Sequence, residues 1–141
     1  MSRRVSDVMT RRPRVLPLEA PLHEAARIMR DEGIGDVLVT LGGRLCGLVT
    51  DRDIVIRGVA ERRDAAHTTL GEVCSAALVT VGPDDDLGTA ARLMRDQAVR
   101  RLPVVDAERR PVGIVSIGDL ARVDGLGPGV LAGICQAPPN V

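Results

Sequence analysis

The run GLVTDRD, Gly47 to Asp53, returns sixty-six positions later as GIVSIGD, Gly113 to Asp119. Each copy places a hydroxyl three residues before a carboxylate: Thr50 with Asp53, and Ser116 with Asp119. Two chemistries suit that spacing. In the first, the hydroxyl residue caps a helix N-terminus and the acid at N3 accepts from the cap's own backbone N–H. Such a reciprocal cap contributes on the order of 1 kcal/mol. Gly47 and Gly113 then merely permit a bend or close packing. In the second, a strand feeding a helix presents N–H groups, a hydroxyl and a carboxylate in one crevice. A ribose fits there, with Asp accepting from the sugar hydroxyls, Thr or Ser adding a bond, and the helix N-terminus attracting phosphate. Valines on flanking strands can sandwich a flat base without an aromatic ring.

The elements that must carry these heptads are also written twice. LHEAARIMRD (Leu22 to Asp31) matches LGTAARLMRD (Leu87 to Asp96) at seven of ten positions. The match extends backward to DVMT against EVCS and forward to DVLVT against RLPVV, covering roughly residues 4–57 and 69–123. Leu22, Ala25, Ala26 and Met29 fall at i, i+3, i+4 and i+7, which predicts an amphipathic helix, and Leu87, Ala90, Ala91 and Met94 repeat it. Pro21 suits a first helical position, and Asp84, Asp85 and Asp86 complement the second helix's dipole. Gly33 closes the first helix, with Ala98 in its place in the second. VSDVM and TLGEVC each read as an opening helical turn, the latter with Thr69 and Glu72 as a capping box. Short strands are expected near Val15–Leu16 and Ala77–Val81. DVLVT pairs with LCGLVT and RLPVVD with PVGIVS through short turns, and last helices start at Asp51 and Ile117. The unit is β-α-β-β-α, repeated, an α/β (α+β) fold in which two pseudo-symmetric halves bury a shared face. The expected domains are 1–62 and 69–124, with a polar linker at 63–68 inside AERRDAAHTT and a Gly/Pro-rich tail at 125–141.

Composition excludes several function classes. Among 141 residues there is no Phe, Tyr or Trp, so the core is built of aliphatic residues and no ring platform for single-stranded nucleic acid exists. Nineteen basic residues balance nineteen acidic ones, so no net field favours nucleic acid or a lipid surface. No apolar run reaches the roughly 18 residues of a membrane span, and the opening MSRRVSDVMT is not a signal peptide. Cys46, Cys74 and Cys135 are too few and too scattered for a disulfide framework or a metal motif, and a reduced, cytoplasmic protein is expected. His23 and His67 read as solvated side chains rather than ligands. Cys46 reads as a core residue and Cys135 as the accessible thiol. Arg11–Arg12, Arg62–Arg63 and Arg109–Arg110 read as loop charges.

DVMT, AARIMRD, GLVTDRDIV, AARLMRD, VRRLPVVD and GIVSIGDLA together resemble a tandem pair of CBS domains, a Bateman module. LVTDRDIVIRGVA and AGICQAPPN are most similar to the small stand-alone bacterial pairs of the hypoxic-response type. The resemblance covers nearly the whole chain, leaving no room for an attached enzyme domain. It implies a regulatory protein with adenosine-containing ligands (AMP, ADP, ATP or S-adenosylmethionine) in clefts between the repeats. It assigns ribose to Thr50 with Asp53 and to Ser116 with Asp119, phosphate to Arg101 with Arg100 beside it, and the base pocket of the second cleft to Thr10 and Val15, early residues of the partner repeat. Asp36 stands where the second repeat has Arg101, and Gly35 where it has Arg100. A carboxylate there repels phosphate, so the Ser116–Asp119–Arg101 cleft is expected to be the better nucleotide site. DIVIRGVA is apolar enough to predict a homodimer face. Two readings follow: a sensor acting on an effector protein through conformation or oligomeric state, and a ligand-independent stress-response or scaffolding protein. No nucleophile–base pair, metal cluster or phosphate-binding loop points to an enzyme.

Overall fold

The computed structural model describes residues 3–76 and 79–123. The chain divides into two compact units, Arg14–Leu78 and Met1–Pro13 with Val79–Val141. They are called here the Thr50 unit and the Ser116 unit. Neither coincides with one repeat of the sequence. Each is the body of one repeat joined by the opening segment of the other.

The Thr50 unit holds a four-stranded sheet of β2 (Val15–Pro17), β3 (Asp36–Leu41), β4 (Arg44–Thr50) and β5 (Ser75–Ala76), in that order. β2 runs parallel to β3, while β4 is antiparallel to both β3 and β5. The β3–β4 ladder runs from Asp36↔Thr50 to Leu41↔Arg44, with a bulge at Val39/Thr40. The helix α1 (Leu22–Glu32) lays Leu22, Ala25 and Met29 on this sheet. They pack with Val37, Val39, Val49, Leu70 and Val73. Each of the Val, Leu and Met side chains contributes roughly 1.5–3 kcal/mol by leaving water. Gly33 ends the helix at φ 65°, the left-handed turn expected of it. Pro21 lies one position earlier than the sequence suggests: it is the N-cap, with extended backbone, not the first helical residue.

With no side chain capping α1, the linker does so. Thr68 and Ala65 carbonyls accept from the Leu22 and His23 backbone N–H groups at 2.8 and 2.9 Å. AERRDAAHTT is therefore a structural part of this unit as well as a connector. α3 (Leu70–Val73) follows it, with the Thr69 N–H donating to Glu72 Oε2 at 2.7 Å, as its capping box predicts.

The Ser116 unit holds a three-stranded sheet ordered β1 (Thr10–Arg11), β7 (Pro111–Ser116), β6 (Arg101–Val105). α4 (Leu87–Asp96) buries Leu87, Ala90, Ala91 and Met94. Its N-cap is Asp86, whose carboxylate accepts from Thr89 N–H at 2.8 Å and is held below the usual range chiefly by that bond. Asp84 and Asp85 serve otherwise: Asp84 pairs with Arg4, and Asp85 accepts from Gly82 N–H. Ala98 takes the left-handed turn of Gly33, at φ 55°. Val81 bridges Val104 in parallel, matching the Leu16–Val39 pair of the other unit. The rest of the expected Ala77–Val81 strand includes residues 77 and 78, which lie outside the described residues, as do Cys135 and the tail. The opening 3-10 turn Val5–Asp7 is locked in by Val5, fully buried, and by bonds from Val5 and Ser6 N–H to the Asp85 and Pro83 carbonyls. Of the three arginine pairs, Arg11 belongs to β1, while Arg12, Arg62 and Arg109 adopt left-handed turns with φ 54°, 57° and 64°.

Candidate functional site

Both heptads sit where a strand becomes a helix, and both form the reciprocal cap. In the Thr50 unit β4 runs into α2 (Asp51–Asp53). Asp53 N–H donates to Thr50 Oγ1 at 3.1 Å, and Thr50 N–H to Asp53 Oδ2 at 2.9 Å. In the Ser116 unit β7 runs into α5 (Ile117–Ala121), where Asp119 N–H donates to Ser116 Oγ at 3.2 Å and Ser116 N–H to Asp119 Oδ2 at 2.8 Å. Even the first helical amides match: Asp51 N–H donates to the Gly35 carbonyl and Ile117 N–H to that of Arg100.

Gly47 and Gly113 are required by close approach rather than by a bend. A Cβ on Gly47 would lie 2.8 Å from Cys74 Sγ and 3.0 Å from the Ser75 carbonyl. On Gly113 it would lie 2.5 Å from Met9 Sδ and 3.0 Å from the Thr10 carbonyl. The opening segment borrowed from the other repeat thus lies flat against each heptad strand.

Beyond the caps the two sites diverge. Asp53 is buried, at 9% exposure, and its second oxygen, Oδ1, accepts from Ser75 Oγ at 3.2 Å. Arg57 holds the backbone just before Ser75, its Nη1 donating to the carbonyls of Val73 and Cys74 at 3.4 and 3.2 Å. The neighbouring Arg52 N–H donates to Asp51 Oδ1 at 2.8 Å. Asp119 is only half-buried, and no side chain among the described residues bonds its Oδ1 or caps Gly118 N–H. Across the ladder, Asp36 stands opposite Thr50, whereas Arg101 stands opposite Ser116. The charge reversal seen in the sequence therefore occupies one equivalent place in both units.

Of the expected site residues, Thr10, Arg100, Arg101, Ser116 and Asp119 belong to the Ser116 unit. Thr10 pairs with Ile114 at the edge of β7, exposed, two residues from Ser116 in register. Val15 belongs with Thr50 and Asp53 in the other unit, paired with Leu38 and 39% exposed. Sequence reasoning missed Ser75 and Arg57. The signal for Ser75 was its alignment with Thr10, while Arg57 has only Val123 opposite it in the repeat, which hides its role.

Other features do not converge on chemistry. A shallow cavity of about 470 Å³ in the Ser116 unit is lined by Thr80 to Asp85 and Val105 to Ala107. It lies at the far end of β6 from Arg101 and is not the heptad site. Cys46 and Cys74 are unbridged, and burial pushes both thiols up. Cys46 packs against the core, as expected, its Sγ donating to the Val39 carbonyl at 3.4 Å. His67 pairs with Asp64 at 2.6 Å on the surface. Among the described residues no group of three His, Cys, Asp or Glu side chains is placed to hold a metal ion, and no helix is long and apolar enough to cross a membrane.

A duplicated strand–helix cap, each copy backed by a borrowed edge strand, is the arrangement of a paired CBS module, and the chain belongs to that family: the CBS domain matches residues 5–59 and 70–125. It is similar to the CBS domain-containing protein YhcV of Bacillus subtilis, 40% identical over 117 residues, covering 83% of this chain and 82% of that protein. Hypoxic response protein 1 of Mycobacterium tuberculosis is 38% identical over 102 residues, covering 72% of this chain and 71% of that one. The crystal structure of Hypoxic Response Protein I with two coordinated zinc ions superposes with a TM-score of 0.77 at 34% identity, covering 85% of this chain and 98% of that one. The CBS domain pair of protein MJ0100, solved with 5′-methylthioadenosine and S-adenosyl-L-methionine, superposes with a TM-score of 0.76 at 26% identity, covering 86% of this chain and 95% of that one.

Proposed function

We propose that the chain is a regulatory, non-enzymatic module that binds an adenosine-containing ligand, with its working site at the Ser116 heptad. The observation that carries this reading is Asp119 Oδ1, an acceptor left without a described side-chain partner beside the Ser116 cap. In this reading Asp119 accepts from a ribose hydroxyl, Ser116 stays in the cap and orients it, and Arg101 with Arg100 faces the phosphates. Thr10, exposed on the neighbouring edge strand, borders the base. The adenosine ligands of the MJ0100 pair support the ligand class, and the Arg101 position supports a phosphorylated member such as AMP, ADP or ATP over S-adenosylmethionine.

The readout then lies in an effector protein or in self-association. Val55, Ile56 and Val59, exposed by 57%, 43% and 68% on the π-helical turn Ile54–Val59, support a homodimer. The balanced charge and the scattered cysteines fit a cytoplasmic protein. A ligand-independent stress-response or scaffolding role is the second reading, and the completed caps at both heptads favour it.

Thermal melting separates the two. With AMP at a hundredfold excess over its Kd, stabilisation of roughly 2.7 kcal/mol is expected. Asp119→Ala removes the shift, and Asp53→Ala changes it less. A melt that no adenosine compound moves leaves the scaffolding reading standing.

A further inference from the structure

The two heptads are alike in sequence, yet only one retains groups that a sugar can use. In the Thr50 unit both carboxylate oxygens of the heptad acid are already engaged by the chain itself. Asp53 Oδ2 accepts from Thr50 N–H and Oδ1 from the Ser75 hydroxyl, while Asp51 covers the Arg52 N–H. A hydroxyl donating to an aspartate Oδ1 is the bond a ribose hydroxyl makes in the reading given above. Ser75 reaches it because β5 pairs Leu48 with Ser75, and because Arg57 grips the two carbonyls immediately before Ser75.

The Ser116 unit has the same edge strand in the same register: Thr10 pairs with Ile114 as Ser75 does with Leu48. There, however, Val123 occupies the place of Arg57, and the Thr10 side chain makes no hydrogen bond among the described residues. A hydroxyl at this position is thus not sufficient to close a heptad. The grip on the preceding backbone is one difference between the two sites.

We infer that Ser75 stands in for a sugar hydroxyl at Asp53, so that the Thr50 heptad is closed by the protein's own edge strand and the chain takes one adenosine-type ligand. Ser75 acts directly on the carboxylate, and Arg57 is the positioning residue behind it. The inference rests on the ribose reading of the Ser116 heptad.

The test is calorimetric titration of the full chain with adenosine, which removes phosphate from the comparison. The native chain binds one adenosine per chain, and Asp119→Ala abolishes it. Ser75→Ala binds two, the second with its own affinity, and adding Asp53→Ala returns the count to one. Arg57→Met, which keeps the Ser75 hydroxyl but loosens the backbone behind it, gains a weaker second site and covers the case in which Ser75→Ala folds poorly. Two adenosines in the native chain, or one in both Ser75→Ala and Arg57→Met, overturns the closure while leaving the Ser116 site intact. No binding by the native chain or any variant overturns the ribose reading itself, and the inference with it.

Discussion

The Thr50 and Ser116 heptads share a strand, a helix start, a reciprocal cap and a borrowed edge strand, and differ in what the acid does with its second oxygen. Asp53 is buried and bonded twice from within, whereas Asp119 is half-buried and bonded once. Asp36 and Arg101 reverse the charge at the equivalent ladder position. The lesson is that a repeated motif reports a repeated backbone solution. Whether the solution is also a binding site depends on residues outside the motif, some from the same repeat, as Arg57, Asp36 and Arg101 are, and some from the other, as Ser75 and Thr10 are.

That contrast can be broken most sharply at the two close-approach glycines. Gly47→Ala forces a Cβ into Cys74 and the Ser75 carbonyl, and Cys74 is too short to retreat. Gly113→Ala meets Met9, whose flexible thioether swings aside, so that the Thr10 carbonyl is the main obstacle. Overpacking of this kind costs roughly 1–3 kcal/mol, with Gly47→Ala at the upper end and Gly113→Ala at the lower. Chemical denaturation measures both, and equal losses would mean that the two edge strands are held alike.

The acids come next. Asp53→Ala strands the half-buried Ser75 hydroxyl and Thr50 N–H, and about 2 kcal/mol of stability is expected to go. Asp119→Ala loses one cap bond at a wetter site, about 1 kcal/mol. A reversed order in urea midpoints would contradict the closed and open assignments. The smallest effect lies at the helix ends. Gly33→Ala places a side chain at φ 65° with no neighbour to compensate, costing about 1 kcal/mol, while Ala98→Gly relieves the same strain and gains about half that. Melting temperatures that move in the same direction for both would break the equivalence of the two turns.

Much of this was legible in the sequence because it is local. The i, i+3, i+4, i+7 spacing placed α1 and α4, the Gly33–Ala98 alignment placed both left-handed turns, and the Thr/Ser…Asp spacing gave both caps. Pro21 misled by one residue because the same φ suits the cap and the first helical position. Ser75 and Asp53, twenty-two residues apart, meet only through β4–β5 pairing, so no periodicity announces them. The widening of the helix into a π turn at Ile54–Val59 is likewise absent from an apolar pattern that an ordinary α-helix fits equally well. VSDVM reads as an opening helical turn, but nothing in it tells that Val5 is fully buried in the core of the other repeat's body.

That last arrangement changes where the chain can be divided. A cut within AERRDAAHTT separates the two written copies, yet it takes β5 and α3 from the body they complete and leaves Val5 and β1 without theirs. Each severed half carries a ribbon made for its sibling and an exposed β-edge where its own should lie, a template for mispairing between molecules. Arg14–Leu78 is the stretch that retains all four of its strands, so inheritance by copy and autonomy by contact follow different borders in this protein.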